Sequence, residues 1–466
     1  MIRVYNTMER NKVDFQPVRE GQVSMYVCGP TTYNFIHIGN ARPMVVFDAI
    51  RKYLGYRGYQ VTYIQNFTDI DDKIIRKANE EKVEPLELAG RYIREYEKDA
   101  LALGVKPADI HPRVSENMDE IILMVKTLVE KGHAYELDGD VYFDVRSFGE
   151  YGKLSGRDLD DLKSGARVQV DEKKKDPLDF ALWKKAKPGE PSWESPWGQG
   201  RPGWHIECSA MSMKYMGPTF DIHGGGFDLI FPHHENEIAQ SECYTGEMFA
   251  KYWLHNGFIT VNEEKMSKSL GNFFLVREVL EKFRGAVIRF FLLSTHYRSP
   301  LDFSDTKLAE DAKALARLQN TWNRLQEAVP AGEEESLAQM ARDTRNRIEE
   351  AMDDDFNTAL AVAELFAFSR EINSALARGM SEKELLLARK VLKDFAIDIL
   401  GIVQEDATAV AEDSGLTARL MELIIEIRTT ARSEKNWPLA DRIRDRLKEA
   451  GILLEDTPEG PRWKVQ

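Results

Sequence analysis

Cysteine is scarce in this chain, with three among 466 residues. An odd, sparse set does not make a disulfide framework, so the expected compartment is the reducing cytoplasm. Long hydrophobic runs are missing too. None approaches the ~18 residues that read as a membrane span, and no apolar segment follows Met1 that would serve as a secretory signal. Positive charge is in deficit: 63 lysines and arginines face 77 acids, a formal net charge of −14. That argues against bulk attraction to nucleic acid but leaves room for a local basic face, because screening confines electrostatics to about 10 Å. No Gly-x-Gly-x-x-Gly follows the first strand-like run, which argues against a conventional dinucleotide site. In a cytoplasmic chain the sequon Asn66-Phe67-Thr68 is idle.

What is present reads as a soluble globular protein, 43% hydrophobic and 30% charged, too long for one core and expected to carry about three domains. Residues 20–110 alternate strand-like runs (23–27, 61–65) with helix-like ones (42–54, 71–79, 85–103), which predicts a parallel sheet with crossover helices. Residues 115–200 read as an insertion. It holds a strand pair (134–137, 141–145) across Asp138-Gly139-Asp140, then a Lys- and Pro-rich stretch, 171–203, with little periodicity. The sheet pattern resumes at 220–223 and 252–261. From Leu308 the pattern turns helical: Leu315, Leu318, Trp322 and Leu325 recur at spacings of three and four, and 342–352, 358–376 and 381–400 do likewise. Acidic breaks at 328–335 and 404–414 read as linkers.

Two short motifs in fixed order carry most of the chemistry. His37-Ile38-Gly39-Asn40 follows an apolar run and Cys28-Gly29-Pro30. It precedes a helix whose N-terminus can hold an anion on its backbone N–H groups. Lys265-Met266-Ser267-Lys268-Ser269 supplies two lysines on a Ser-flanked loop, as neutralising a polyphosphate requires. Taken singly, the first is an ordinary turn and the second a solvated loop. Cys28 and Cys208 also sit in dense clusters, the latter in Gly203-Trp204-His205-Ile206-Glu207-Cys208-Ser209. A third cluster, Phe231 to Glu237, opens a helix with Pro232 at its start and His233 and Glu237 on one face. Two thiolates, an imidazole and a carboxylate suit zinc. One by one, they read as buried small hydrophobes and a dipole-compensating helix start.

In this order the two motifs resemble the HIGH and KMSKS signatures of class I aminoacyl-tRNA synthetases. Segments 179–184, 200–211 and 221–226 running on to 233–237 resemble those of the cysteinyl-tRNA synthetase family, and the likeness runs from about residue 2 to the C-terminus. The resemblance implies an α/β, Rossmann-type parallel-sheet catalytic domain at 1–114 and 201–262, split by a connective-peptide insertion at 115–200. It further implies a KMSKS loop and stem-contact region at 263–307, a DALR-like helical bundle at 308–403 and an anticodon-binding unit at 415–466.

It also implies an activity. L-cysteine would be activated with ATP to cysteinyl-adenylate and transferred to tRNA(Cys), by a cytoplasmic monomer with no membrane attachment. The family's zinc ligands fall on Cys28, Cys208, His233 and Glu237, leaving His234 and Cys243 as neighbours, and Mg2+ accompanies ATP. The metal would select the substrate thiolate over a serine hydroxyl, which a pocket measuring only shape rejects poorly, so no editing segment is expected. His37, Asn40, Lys265 and Lys268 form the implied catalytic set. Gly29, Gly39, Gly224, Gly225, Gly226 and Asp228 join them around ATP, the triple glycine permitting close backbone approach. Thr68 and Trp204 would line the substrate pocket. Asn40 departs from the family pattern, where many members carry a second histidine; its amide donates a hydrogen bond but carries no charge.

Between Arg428 and Lys448 seven basic residues face three acids, with Trp437 among them as a stacking face. A solvated mixed-charge helix is the plain meaning; the resemblance makes Arg432, Trp437, Asp441 and Asp456 anticodon readers. Two rivals stand beside this assignment. A ligase joining cysteine to an amino-sugar conjugate would share the core but lack the basic C-terminal unit. A zinc-binding adaptor or hydrolase with a helical tail would leave the loop 265–269 unexplained.

Overall fold

The computed structural model describes residues 1–158, 174–261, 264–265, 273–405, 416–449, 452–457 and 460–465. It divides into two units, Met1–Gln404 and Glu405–Gln466.

In the first unit a hairpin, β1 (Arg3–Asn6) and β2 (Asn11–Asp14), leads into β3 (Gln22–Val27), α1 (Ile38–Tyr56) and β4 (Gln60–Gln65). Helices α2 (Asp72–Glu81), α3 (Pro85–Ala102) and α4 (Met118–Glu130) follow. The insertion then contributes β5 (Ala134–Leu137), β6 (Asp140–Phe143), β7 (Phe180–Lys185) and β8 (Gly200–Pro202). The chain returns through α5 (Trp204–Met216), β9 (Phe220–Gly226), α6 (Glu235–Thr245) and β10 (Ala250–Asn256). Strands β10, β9, β3 and β4, in that spatial order, form a wholly parallel sheet. Their apolar runs are buried on both faces, Met25, Tyr26 and Val27 alike, as a sheet covered on each side by crossover helices demands. From β3 the chain turns one way to β4 and later the other way to β9. Ligands bind outside the carboxyl ends of strands at such a reversal, and there Cys28 follows β3.

The expected strands at 23–27 and 61–65 form, each beginning one residue earlier. Helix α1 starts at Ile38 rather than Arg42, running through Pro43, so the His37 motif is itself the helix's first turn. The side chain of Asn40 makes that start possible, its Oδ1 accepting the His37 N–H at 3.2 Å. The aperiodic stretch 171–203 contains β7 and β8, which complete an antiparallel sheet in the order β5-β6-β7-β8. Consecutive residues Leu182 and Trp183 are both fully buried there, which erased the alternation that marks a half-exposed strand. At the β5–β6 turn Asp138 and Gly139 both take positive φ, 57° and 94°, as a tight two-residue hairpin requires.

The run expected at 252–261 breaks at Gly257-Phe258 into β10 and β11 (Ile259–Val261). Next come β12 (Glu264–Lys265), α7 (Val276–Leu280), α8 (Gly285–Leu293) and β13 (Leu301–Asp302), the strands pairing as β12-β11-β13. A bundle of α9 (Asp305–Glu327), α10 (Ser336–Asp353), α11 (Thr358–Arg378) and α12 (Glu382–Val391) follows, with a further helical turn at Leu392–Ile399. Leu315, Leu318, Trp322 and Leu325 are buried in one hydrophobic core with Val45 and Tyr53 of α1. Buried polar clamps tie the same parts. Asp355 accepts from the Tyr5 N–H and the Tyr297 hydroxyl, both at 2.8 Å, and from Arg298 Nε at 2.7 Å. Arg289 of α8 donates to Asp48 of α1 at 2.5 Å and to the Leu400 carbonyl.

The second unit consists of α13 (Leu416–Ser433), α14 (Trp437–Glu449) and an antiparallel hairpin, β14 (Ile452–Thr457) with β15 (Gly460–Val465). Of the expected linker at 404–414, residues 406–414 lie outside the described residues. No helix among the described residues is long and apolar enough to cross a membrane.

Candidate active site

Four side chains from three elements converge behind the carboxyl end of the sheet: Cys28 after β3, Cys208 on α5, and His233 and Glu237 where the chain enters α6. Their donor atoms lie within 4.8 Å of one another. Cys28 Sγ is 3.7 Å from Cys208 Sγ and 3.5 Å from Glu237 Oε1, and His233 Nε2 is 3.0 Å from the same oxygen. Two sulfurs, an imidazole and a carboxylate are zinc's ligand types, whereas hard cations such as Ca2+ and Mg2+ take oxygen alone. A second set, Cys28, His223, His234 and Glu237, meets the same distance limit and shares two members with the first.

The charge is unevenly shared among these groups: Cys208 and Glu237 are held as anions, whereas Cys28 and His233 keep protons that a cation would displace. Burial pushes the Cys28 thiol well above its ordinary value, while the hydrogen bond from Cys28 brings Cys208 down to about 6. Burial works against the Glu237 carboxylate, yet His223 and His233 hold it at about 2. His233 is likewise opposed by burial and lifted to about 10, chiefly by Glu237.

Around the donors lies a histidine shell whose pairings the sequence did not reveal. His223 Nε2 is 2.8 Å from Glu237 Oε2, His234 Nδ1 is 2.8 Å from His255 Nε2, and His205 Nδ1 is 2.9 Å from His233 Nδ1. Five of the nine histidines thus meet at one place. Such partners fix the orientation of ligating groups. Cys243 is buried in α6 and belongs to neither donor set.

From Cys28 a cleft of about 360 Å³ opens past Gly29, His37, Gly39 and Asn40 to Gly226 and Asp228. His37 packs edge-on against Phe273, ring centroids 4.6 Å apart. The turn is stitched to the segment after the second motif: the Ile38 N–H donates to the Phe274 carbonyl at 3.1 Å, and the Val276 N–H to the Ile36 carbonyl at 3.0 Å. Lys265 closes β12; Lys268 lies outside the described residues. Trp204 lines the cleft and stacks on His233, centroids 4.3 Å apart.

Three predicted site residues sit elsewhere. Thr68 is 2% exposed and absent from the cleft lining, its hydroxyl donating to Glu207 Oε2 at 2.9 Å. Gly224 and Gly225 are buried within β9, and of the triple glycine only Gly226 lines the cleft. A Cβ on Gly224 would come within 2.5 Å of the Phe47 ring, and one on Gly225 within 2.9 Å of His234. At both positions the missing Cβ leaves room for a neighbouring side chain.

In the second unit Arg432 ends α13, and Trp437 and Asp441 lie on α14, all exposed, with Trp437 at 53%. Asp456 falls in β14, two strand residues after Leu454.

A parallel sheet with this cleft at its reversal point, and with the two motifs in this order, defines a class I aminoacyl-tRNA synthetase. Residues 14–313 match the tRNA synthetases class I (C) catalytic domain, and residues 347–404 match the DALR domain. The chain is 59% identical to the cysteine–tRNA ligase of Desulforamulus reducens, over 100% of each protein, and 59% identical to that of Heliobacterium modesticaldum, over 99% of each. In fold it is similar to Mycobacterium tuberculosis methionyl-tRNA synthetase in complex with methionyl-adenylate, with a TM-score of 0.64 at 16% identity over 83% of this chain and 92% of that one. The chain belongs to the cysteine–tRNA ligase family.

Proposed function

We propose that this protein activates L-cysteine with ATP to cysteinyl-adenylate and transfers the cysteinyl group to the 3′-terminal adenosine of tRNA(Cys). One observation carries the reading. Cys28 belongs to the four-donor cluster and also lines the cleft that holds His37 and Asn40, so a thiol-binding centre and a phosphate-binding helix start share one cavity.

In the first step a carboxylate oxygen of cysteine attacks the α-phosphorus of ATP; the bond to the bridging oxygen breaks and pyrophosphate leaves, with Mg2+ carried in by ATP. Such transfer depends on positioning and charge neutralisation. His37 and the α1 N-terminus hold phosphate oxygens. Asn40 has its Oδ1 engaged by the His37 N–H, which leaves Nδ2 as the donor to phosphate. Lys265 and Lys268 neutralise the departing pyrophosphate. In the second step the 2′-OH of the terminal adenosine attacks the acyl carbon and AMP leaves. Cys28, Cys208, His233 and Glu237 would hold a zinc ion, whose contribution is a soft Lewis-acid site preferring a thiolate to the hydroxyl of serine. Trp204 covers that site from the cleft side. The bundle at 308–403 supports the catalytic sheet, and the unit at 415–466 reads the anticodon through Arg432, Trp437, Asp441 and Asp456. The reading carries with it a monomeric enzyme of the cytoplasm.

Cysteine-dependent ATP–pyrophosphate exchange, with and without a zinc chelator and followed by tRNA charging, tests it. Exchange that needs cysteine and stops on chelation is the expected result, and Lys268→Ala should abolish it while zinc stays bound. Exchange without subsequent charging of tRNA would favour the amino-sugar ligase instead.

A further inference from the structure

A polyanion must enter the cleft, yet its described lining carries only one lysine or arginine, Lys73, an exposed residue at the start of α2. The two residues before it are acids, and both are engaged elsewhere. Asp71 caps the helix, its Oδ1 accepting the Lys73 backbone N–H at 2.8 Å. Asp72 reaches away to the insertion's sheet, accepting from Lys184 Nζ at 2.8 Å and from Arg201 Nη2 at 2.5 Å. Among the described residues Lys73 forms no ion pair of its own. Its Nζ lies 5.7 Å from the ring centroid of Tyr33, itself a cleft residue.

An ammonium over an aromatic face is held in place without being neutralised, because the ring offers a quadrupole rather than a counter-charge. The mounting is firm, since Ile74 and Ala78 of α2 are buried against Leu88, Ala89 and Tyr92, with Tyr33 and Phe35 packed on the same cluster.

We propose that Lys73 is a further phosphate-binding residue of the cleft, donating from Nζ to a phosphate oxygen of bound ATP or of the 3′-terminal nucleotides of tRNA. The inference rests on the cysteinyl-transfer reading and adds to it a contact outside both signature motifs. Lys73 comes from the wall that also meets the insertion.

The test compares the unmodified protein with Lys73→Ala and Lys73→Arg. Pyrophosphate exchange is measured with ATP varied and with cysteine varied, and charging is measured with tRNA varied at two salt concentrations. A charge-assisted hydrogen bond lost from an exposed lysine should raise the relevant KM about tenfold in Lys73→Ala. The KM for cysteine and the zinc content should stay unchanged, and Lys73→Arg should recover most of the loss. A rise in the KM for ATP identifies the triphosphate. A rise confined to tRNA, with a shallower salt dependence, identifies the tRNA backbone. If Lys73→Ala leaves both values within twofold, or shifts only the KM for cysteine, the inference is overturned while the functional reading stands. If the unmodified protein shows no cysteine-dependent exchange, the reading fails and the inference with it.

Discussion

Replacing Cys208 by serine separates the two donor sets that the fold brings together. The side chain is 2% exposed, and the swap changes one atom by a few tenths of an ångström in radius, so the fold should hold. If the ion sits among Cys28, Cys208, His233 and Glu237, Cys208→Ser removes one of four ligands. Structural zinc sites are worth roughly 10–16 kcal/mol in total, so an equal share per ligand is roughly 2.5–4 kcal/mol, an affinity loss of about 10² to 10³. If instead the ion sits among Cys28, His223, His234 and Glu237, Cys208 is a bystander and affinity barely moves. Cys28 belongs to both sets, so Cys28→Ser should lose zinc in either case and serves as the control. Competition against a chromophoric chelator gives the affinities, and exchange with cysteine against serine gives the selectivity. The expected outcome is parallel loss of zinc and of the preference for cysteine in both variants. Full zinc affinity and intact selectivity in Cys208→Ser would refute the assignment, and a matching loss in His234→Ala would show that the second set holds the ion.

Other expectations follow from the same geometry. Asn40→Ala removes the acceptor of the His37 N–H; it should cost about 1 kcal/mol of stability as a lost helix cap and slow pyrophosphate exchange with zinc still bound, read by thermal melting and exchange kinetics. The Asp48 carboxyl is raised by burial but held at about 2 overall by Arg289, Lys52 and Arg51. A folded-state value below the ordinary 3.8 contributes stability that is present above pH 4 and lost as pH falls toward 2, about 2 kcal/mol. Denaturant titrations of Asp48→Asn should therefore lack that part of the acid slope, while starting from a protein weakened by an unpaired buried Arg289. Trp437→Ala should raise the KM for tRNA by about tenfold or more, as the loss of one stacked base does, and leave exchange untouched; equal loss of both would mark a misfolded variant.

How much of this was legible in the sequence depended on whether the chemistry was contiguous. His37 to Asn40 could be read because the turn, the glycine and the cap lie within four residues, and β3 and β4 because a parallel strand buried on both faces is an unbroken apolar run. The four donors sit in dense clusters that suited zinc by residue type, but it was the family resemblance of those segments that assigned them, and only folding brings Cys28 and Cys208 to 3.7 Å. The histidine shell left no such trace. His205, His223 and His255 come from α5, β9 and β10, with no shared spacing, and each looks like a lone core histidine until the strands align. Strand β7 escaped because burial of both Leu182 and Trp183 removed its period. Thr68 and Gly225 show the converse. Their positions beside motif residues said nothing of depth, and the fold buries the first against Glu207 and the second against His234.

Helix α1 rests on the bundle as well as on the sheet, through a shared apolar core and through the hydroxyls of Tyr53 and Tyr56, which donate to Asp353 and Glu349. A fragment trimmed near residue 304 would expose the underside of the helix that follows His37 and would strip Arg289, the partner of Asp48, of its Leu400 carbonyl acceptor. Whoever wishes to isolate the amino-acid-activating half for screening or crystallisation should cut after Gln404, where the first unit ends, and should expect aggregation from anything that removes the bundle.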